Sequence, residues 1–286
     1  MQVKIRIIAL IALLGMIYSF PTRSVAEDFR SPRTQALGGA GHAAPLLNDA
    51  IYLNPSFASF LPTYSISANG DWYDYNNDAY SGRLWNASIQ DGRSEAFQAG
   101  IGYSHFEQGT LVSLGASKAA TKQLGFGLGS KVYFPMGGGD RVGDLTFSTE
   151  FVAKSWLQAS FIADNLIQSS TAEANNFYRE FTIGTKFTVM DMLYFYFDPH
   201  LAPDAPSTNG SHFGHESAAE LQVFQDVFIR GGFYKNSKIP SLQTRGDGYG
   251  IGAGWVGPKL SLDYAYSHVT GPITDTENTI GATIYF

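Results

Sequence analysis

From Tyr64 to the end of the chain, apolar and polar side chains alternate in segment after segment. A period of two marks a strand whose faces meet different surroundings. In 277–286, Ile280, Ala282, Ile284 and Phe286 share one face, and Thr279, Gly281, Thr283 and Tyr285 share the other. In 259–268, Leu260, Leu262, Tyr264 and Tyr266 oppose Ser261, Asp263, Ala265 and Ser267. In 123–134, Leu124, Phe126, Leu128 and Val132 oppose Gln123, Gly125, Gly127, Gly129 and Lys131. Segments 97–105 and 181–189 read the same way. The pattern predicts strands near 64–73, 83–89, 97–105, 110–117, 123–134, 145–153, 155–164, 180–189, 192–198, 216–224, 227–235, 248–256, 259–268 and 277–286. Each is close to the ~9–11 residues that a tilted strand needs to cross a bilayer.

The connections between these segments alternate in length. With the last strand running inward, 257–258, 225–226, 190–191, 154–155, 118–122 and 90–96 become short periplasmic turns. The longer polar stretches 236–247, 199–215, 165–179 and 135–144 then lie outside, as expected of outer-membrane barrels. The tight connection 106–109 is the exception. Lys131, Glu150, Asp164, Lys186, Asp198, Glu220, Arg230 and Asp263 all fall opposite the apolar face. A Lys or Arg turned to lipid at mid-membrane costs ~2–4 kcal/mol, so these charges are expected to point inward. A soluble sandwich also alternates, but it has no use for an outward face carrying Phe97, Phe126, Phe151, Phe161, Phe195 and Tyr264. The expected fold is therefore all-β: a transmembrane antiparallel β-barrel of about 14 strands, integral to the outer membrane of a diderm bacterium.

Composition agrees. Charged residues make up 15% of the chain and aromatics 14%, with 31 Gly, and mean hydropathy is near neutral at -0.09 because the two faces cancel. There is no Cys, so closure of the sheet replaces any disulfide framework. The formal net charge of -6 and the absence of a basic run exclude an electrostatic case for nucleic-acid binding. At the start, Lys4 and Arg6 precede an apolar run, Ile7 to Tyr18, and then Ser24-Val25-Ala26. That is the layout of a secretory signal, residues 1–26, with a mature start at Glu27.

Residues 27–63 lack the alternation and precede the first strand of the 64–286 barrel. Small residues run from Ala36 through Gly38, Gly39 and Gly41 to Ala44, and Pro55 breaks the stretch Leu46 to Phe60. A barrel of this size has an interior too wide for its own side chains, so this segment is expected to plug the lumen. Inward glycines fit that expectation: Gly125, Gly127 and Gly129; Gly248, Gly250, Gly252 and Gly254; Gly100 and Gly102. They mark either close approach of another backbone or relief of wall curvature. Ala36-Leu37-Gly38-Gly39-Ala40-Gly41, then Asn48-Asp49-Ala50, then Asn54-Pro55-Ser56 resembles the N-terminal hatch of the FadL superfamily, with Ser56 in place of the usual Ala. The superfamily includes fatty-acid transporters, aromatic-hydrocarbon channels and barrels associated with type IX secretion. The terminal Tyr285-Phe286 matches the assembly signal of such barrels. The resemblance implies a hatch fixed by Asn54-Pro55 and a candidate wall kink at Gly100 and Gly102.

No arrangement for catalysis stands out, and no cofactor is expected. His212, His215 and Glu216, with Asp198 or His200 nearby, lack an evident third fixed metal ligand. Gly137-Gly138-Gly139-Asp140 lacks the Lys-Ser/Thr of a phosphate loop. Inside the barrel, Lys131, Lys186 and Arg230 are candidate contacts for an anionic head group, with Tyr194, Tyr196 and Tyr234 along an apolar path. Structural pairing with Glu150, Glu220 and Asp263 is the competing and favoured reading of the charges. The expected partners are outer-membrane lipids and a hydrophobic small molecule taken up by the channel. The alternatives are a structural barrel that binds a surface or secretion protein through 165–179 and 199–215, and a simple diffusion porin.

Overall fold

A computed structural model of the chain describes residues 29–75, 82–205, 211–241, 244–271 and 273–286. The signal segment 1–26 and the start at Glu27 lie outside the described residues. Fourteen strands follow one another: β1 (Tyr64–Tyr75), β2 (Gly82–Asp91), β3 (Gln98–Phe106), β4 (Gly109–Ala119), β5 (Leu124–Pro135), β6 (Val142–Lys154), β7 (Leu157–Asp164), β8 (Glu180–Val189), β9 (Leu193–Leu201), β10 (Phe213–Gln222), β11 (Val227–Ile239), β12 (Thr244–Val256), β13 (Leu260–Gly271) and β14 (Asp275–Tyr285). Each pairs antiparallel with its neighbours in the chain, and β1 pairs with β14, so the sheet closes into a barrel without edges. No described helix is long and apolar enough to cross a membrane.

The alternation maps onto the two sides of this wall. Ile101, Phe126, Leu128, Phe161, Ile183, Ile251, Leu262 and Ile280 are exposed on the outside. Ser104, Lys131, Ser148, Glu150, Asp198, Glu220 and Arg230, on the same or neighbouring strands, are buried inside. With lipid as the outer solvent this is the stable sense of a barrel.

Several outer connections are shorter than the sequence suggests, because the strands continue past the apolar belt. β11 runs to Ile239 and β12 starts at Thr244, which turns most of the expected loop 236–247 into hairpin. A bulge between Tyr234 and Ser237 lets this happen. Asn236 sits there at φ 50 and its N–H donates to Asp247 at 2.8 Å. An extra residue reverses the inside–outside parity beyond it. The tight connection 106–109 is real: Phe106 pairs with Gly109, and the Gln108 carbonyl accepts from Tyr133 Oη at 2.7 Å and Met136 N at 2.8 Å.

Ahead of the barrel come α1 (Pro32–Ala36), a turn at Leu47–Asp49, α2 (Ala50–Leu53) and a turn at Pro55–Phe60. A third short helix, α3 (Ser170–Ala174), lies in the connection between β7 and β8. It folds inward: Ala172 and Phe177 are buried in one cluster with Phe29, Tyr73, Leu84, Phe106, Leu111, Tyr133 and Val142.

Candidate functional site: the stoppered lumen

Residues 29–63 lie inside the barrel and are buried along most of their length. Their local structure is written in short-range signals. Ser31 caps α1 by accepting from Thr34 N at 3.2 Å, and Pro32 follows at the first helical position, where its missing N–H is harmless. α1 is too short to be stable alone and takes its stability from the surrounding wall. After it, Gly38, Gly39 and Gly41 adopt φ of 63, 94 and 117, a region that side chains disfavour. A Cβ at Gly38 would also sit 3.0 Å from the backbone N of Phe233 in β11.

Polar pins join this segment to the wall. Arg33 reaches Glu220 at 3.2 Å and donates to Tyr196 Oη at 2.9 Å. Asp198 accepts from Gly41 N at 2.7 Å, from His42 N at 2.9 Å, and meets His42 Nδ1 at 2.9 Å. Burial works against the His42 imidazolium, but the Asp198 hydrogen bond and charge outweigh it and hold the ring above its ordinary range. Asn54 is fully buried; its amide donates to His42 O and to Glu150, both at 2.9 Å. Its side-chain oxygen accepts from Ser56 N, which also donates to Ser148 Oγ at 2.9 Å.

Glycines make room where no pin is needed. Gly127 lies against Ser56 N and 2.7 Å from the Pro55 carbonyl carbon, measured from where its Cβ would be. Gly250 faces the Gln35 carbonyl and Gly232 the Leu37 carbonyl with no space for a side chain. Of the two sequence readings of these columns, close approach of another backbone holds at Gly127 and Gly250. Gly254 differs, opening onto Asp263 and Arg230, and Gly248 onto Tyr234. Gly100 and Gly102 receive the side chains of Ile51 and Tyr52, and the ladders of β3 to β2 and β4 run unbroken through both.

The proposed lumen contacts do not converge. Lys131 pairs with Asp164 at 2.8 Å in the outer half. Arg230 is held between Glu220 and Asp263, and Tyr196 donates to Glu220 at 3.2 Å. Lys186 stacks over Tyr194 at 4.7 Å, near the inner end. Tyr194 donates to the Asp191 carbonyl at 3.1 Å, and Tyr234 is buried with Ile239 and Val269.

A different group lines the chamber above the hatch, a cavity of about 60 Å³. Phe29, Tyr52, Leu53 and Ile162 give it apolar lining, and Arg30, His42, Asp164, Glu180, Glu216 and Lys238 give it charged or titratable lining. The charges are tied together: Lys238 to Asp164 at 3.1 Å and to Glu180 at 3.3 Å, Arg245 to Glu180 at 2.9 Å, His200 to Glu216 at 3.1 Å. Ligand pockets run to ~300–1,000 Å³, so this chamber is closed to anything beyond a few waters. Sequence reasoning missed Lys238 because the bulge at 235–236 broke the alternation that identified its neighbours, and missed Arg30 because the hatch has no period to read. No group of His, Asp and Glu among the described residues has the geometry to hold a metal ion. His212 is exposed, and His215 faces outward between Phe197 and Phe233.

No family model and no curated protein sequence matches the chain. Solved structures do. A FadL homologue from Pseudomonas aeruginosa superposes with TM-score 0.64 at 11% identity, covering 92% of this chain and 99% of its own. The Pseudomonas putida toluene transporter TodX gives 0.61 at 12% identity, covering 92% and 98%. The Ralstonia pickettii toluene transporter TbuX gives 0.58 at 11% identity, covering 90% and 97%.

Proposed function

We propose that this chain, an integral outer-membrane barrel with the FadL-like transporter fold, is a gated channel for the uptake of small hydrophobic compounds, with residues 29–63 as its hatch. The observation that carries the reading is the chamber above the hatch, lined by apolar and charged side chains together. Phe29 belongs both to the apolar wall of that chamber and to the cluster that includes Phe177 of the inturned outer loop. Apolar contact therefore continues from the mouth down to the hatch. A hydrophobic molecule entering from outside replaces such contacts with its own, at little cost in desolvation. Within the lumen the hatch is held to the wall by hydrogen bonds and ion pairs, which can be exchanged for others, and the chain has no cysteine to lock it there.

Uptake and binding of toluene and of a long-chain fatty acid by protein in liposomes test the reading. The expected result is uptake of at least one class, increased when Asn54→Ala loosens the hatch. Absence of binding and uptake for both classes, in the wild type and in the loosened variant, overturns it. The partner-binding alternative draws less support, because α3 and Phe177 turn the 165–179 loop into the mouth and away from any partner. The apolar and charged lining of the chamber leaves the substrate class to the same assay.

A further inference from the structure

A ligand-sized concavity of apolar lining lies outside the lumen, on the lipid-facing wall of β9 to β12, and measures about 580 Å³. The register shows how it forms. At one level across four strands stand Phe195, Ala219, Gly231 and Ile251. Ala219 and Gly231, adjacent on the central strands, leave a trough between the larger outer pair. One step toward the outside, Ser217 lies between Phe197 and Phe233, so the trough continues upward with aromatic walls. The next step places His215 opposite Lys235. Same-face neighbours rise by about 7 Å, so these two close the outer end of the trough. Lys235 is exposed, and the His215 ring is 6.1 Å from each of the Phe197 and Phe233 rings.

We propose that this groove is a binding site for a phosphorylated glycolipid of the outer leaflet, with one acyl chain in the trough and a phosphate on Lys235 and His215. An acyl chain leaving the bilayer for the trough gains no hydrophobic free energy, because lipid tails are as apolar as the groove. What distinguishes one lipid from the bulk is its head group. Lys235 supplies a cation where the trough reaches the interface, and a Lys there can extend its ammonium to the head-group level. The outer leaflet is the one concerned: β10 and β11 are joined by a tight inner turn, so Lys235 lies toward the side of the longer connections. The site is independent of the hatch and does not rest on uptake of any compound.

The test uses protein extracted from its native outer membrane in mild detergent. Phosphorylated glycolipid bound per chain is measured by mass spectrometry for the wild type, Lys235→Glu and Ala219→Phe. Both substitutions face outward, and heat-modifiable mobility on gels checks that the barrels are folded. Retention is expected to fall roughly fivefold or more in Lys235→Glu, as expected for loss of a head-group cation, and comparably in Ala219→Phe, which fills the trough. Delipidated wild type is expected to gain thermal stability from added glycolipid and to gain less from its dephosphorylated form or from phosphatidylglycerol. Equal retention by all three folded proteins, or equal stabilisation by the dephosphorylated lipid or phosphatidylglycerol, overturns the proposal.

Discussion

The hatch meets different strands of its barrel by different physics. Against β5, β11 and β12 the wall offers glycine, and backbone lies on backbone at Gly127, Gly232 and Gly250. Against β9 and β10 it offers carboxylates, and Asp198 and Glu220 grip Gly41, His42 and Arg33. Steric contact of the first kind is all-or-none, since neither backbone can move aside without moving its element. Electrostatic contact of the second kind is graded and responds to pH. A hatch built this way has fixed seats at β5 and at β11–β12, on opposite sides of the barrel, and an adjustable latch at β9 and β10 between them.

The comparison breaks most severely at Gly127→Leu. The new side chain collides with Ser56 N and Pro55, and overpacking against backbone is expected to cost ~3 kcal/mol or more. The expected outcome is a folded barrel with a displaced hatch, seen as protease cleavage within 29–63 and increased conductance. A hatch as protected as in the wild type would show that glycine packing does not seat it. Asn54→Ala comes next. It removes the amide that donates to Glu150 Oε2 and to the His42 carbonyl, and hydrogen exchange should show ~1–3 kcal/mol of hatch stability lost.

The latch should also respond to pH. Asp198 holds His42 above its ordinary 6.5, so the bond contributes fully below that value and is lost as pH rises through the raised value. Hatch protection is therefore expected to weaken as pH rises above the ordinary histidine range and through the raised value, and the change should vanish in His42→Gln. A flat profile in the wild type counts against the latch. The smallest effect belongs to Ala253→Leu, on the exposed outer face of β12 three residues beyond Gly250. It should stay within ~0.5 kcal/mol and leave hatch protection unchanged.

How much of this was legible in the sequence depends on the range of the signal. Ser31 before Pro32, and Asn54 before Pro55, are local capping patterns, and both caps form. Strand parity needs only a few neighbours, and it placed Glu150, Asp198 and Glu220 inside. The ion pairs they make are another matter: Arg33 and Glu220 are 187 residues apart, and nothing local links them. The proposed contacts Lys131, Lys186 and Arg230 shared a face but not a partner: Lys131 pairs with Asp164, Lys186 lies over Tyr194, and Arg230 is held by Glu220. Lys238 entered the chamber through a bulge that alternation could not reveal.

By itself, then, the chain dictated a closed wall with a greasy outside, and an unpatterned leader to fill it, because a period of two and a bilayer of set thickness leave few other solutions. Only the folded barrel decided which glycine faces which carbonyl, which carboxylate takes which hatch group, and that two small residues on adjacent strands line up into an outer trough. Those outcomes depend on relative strand register and on where the hatch sits along the axis, and both are set by many distant contacts at once.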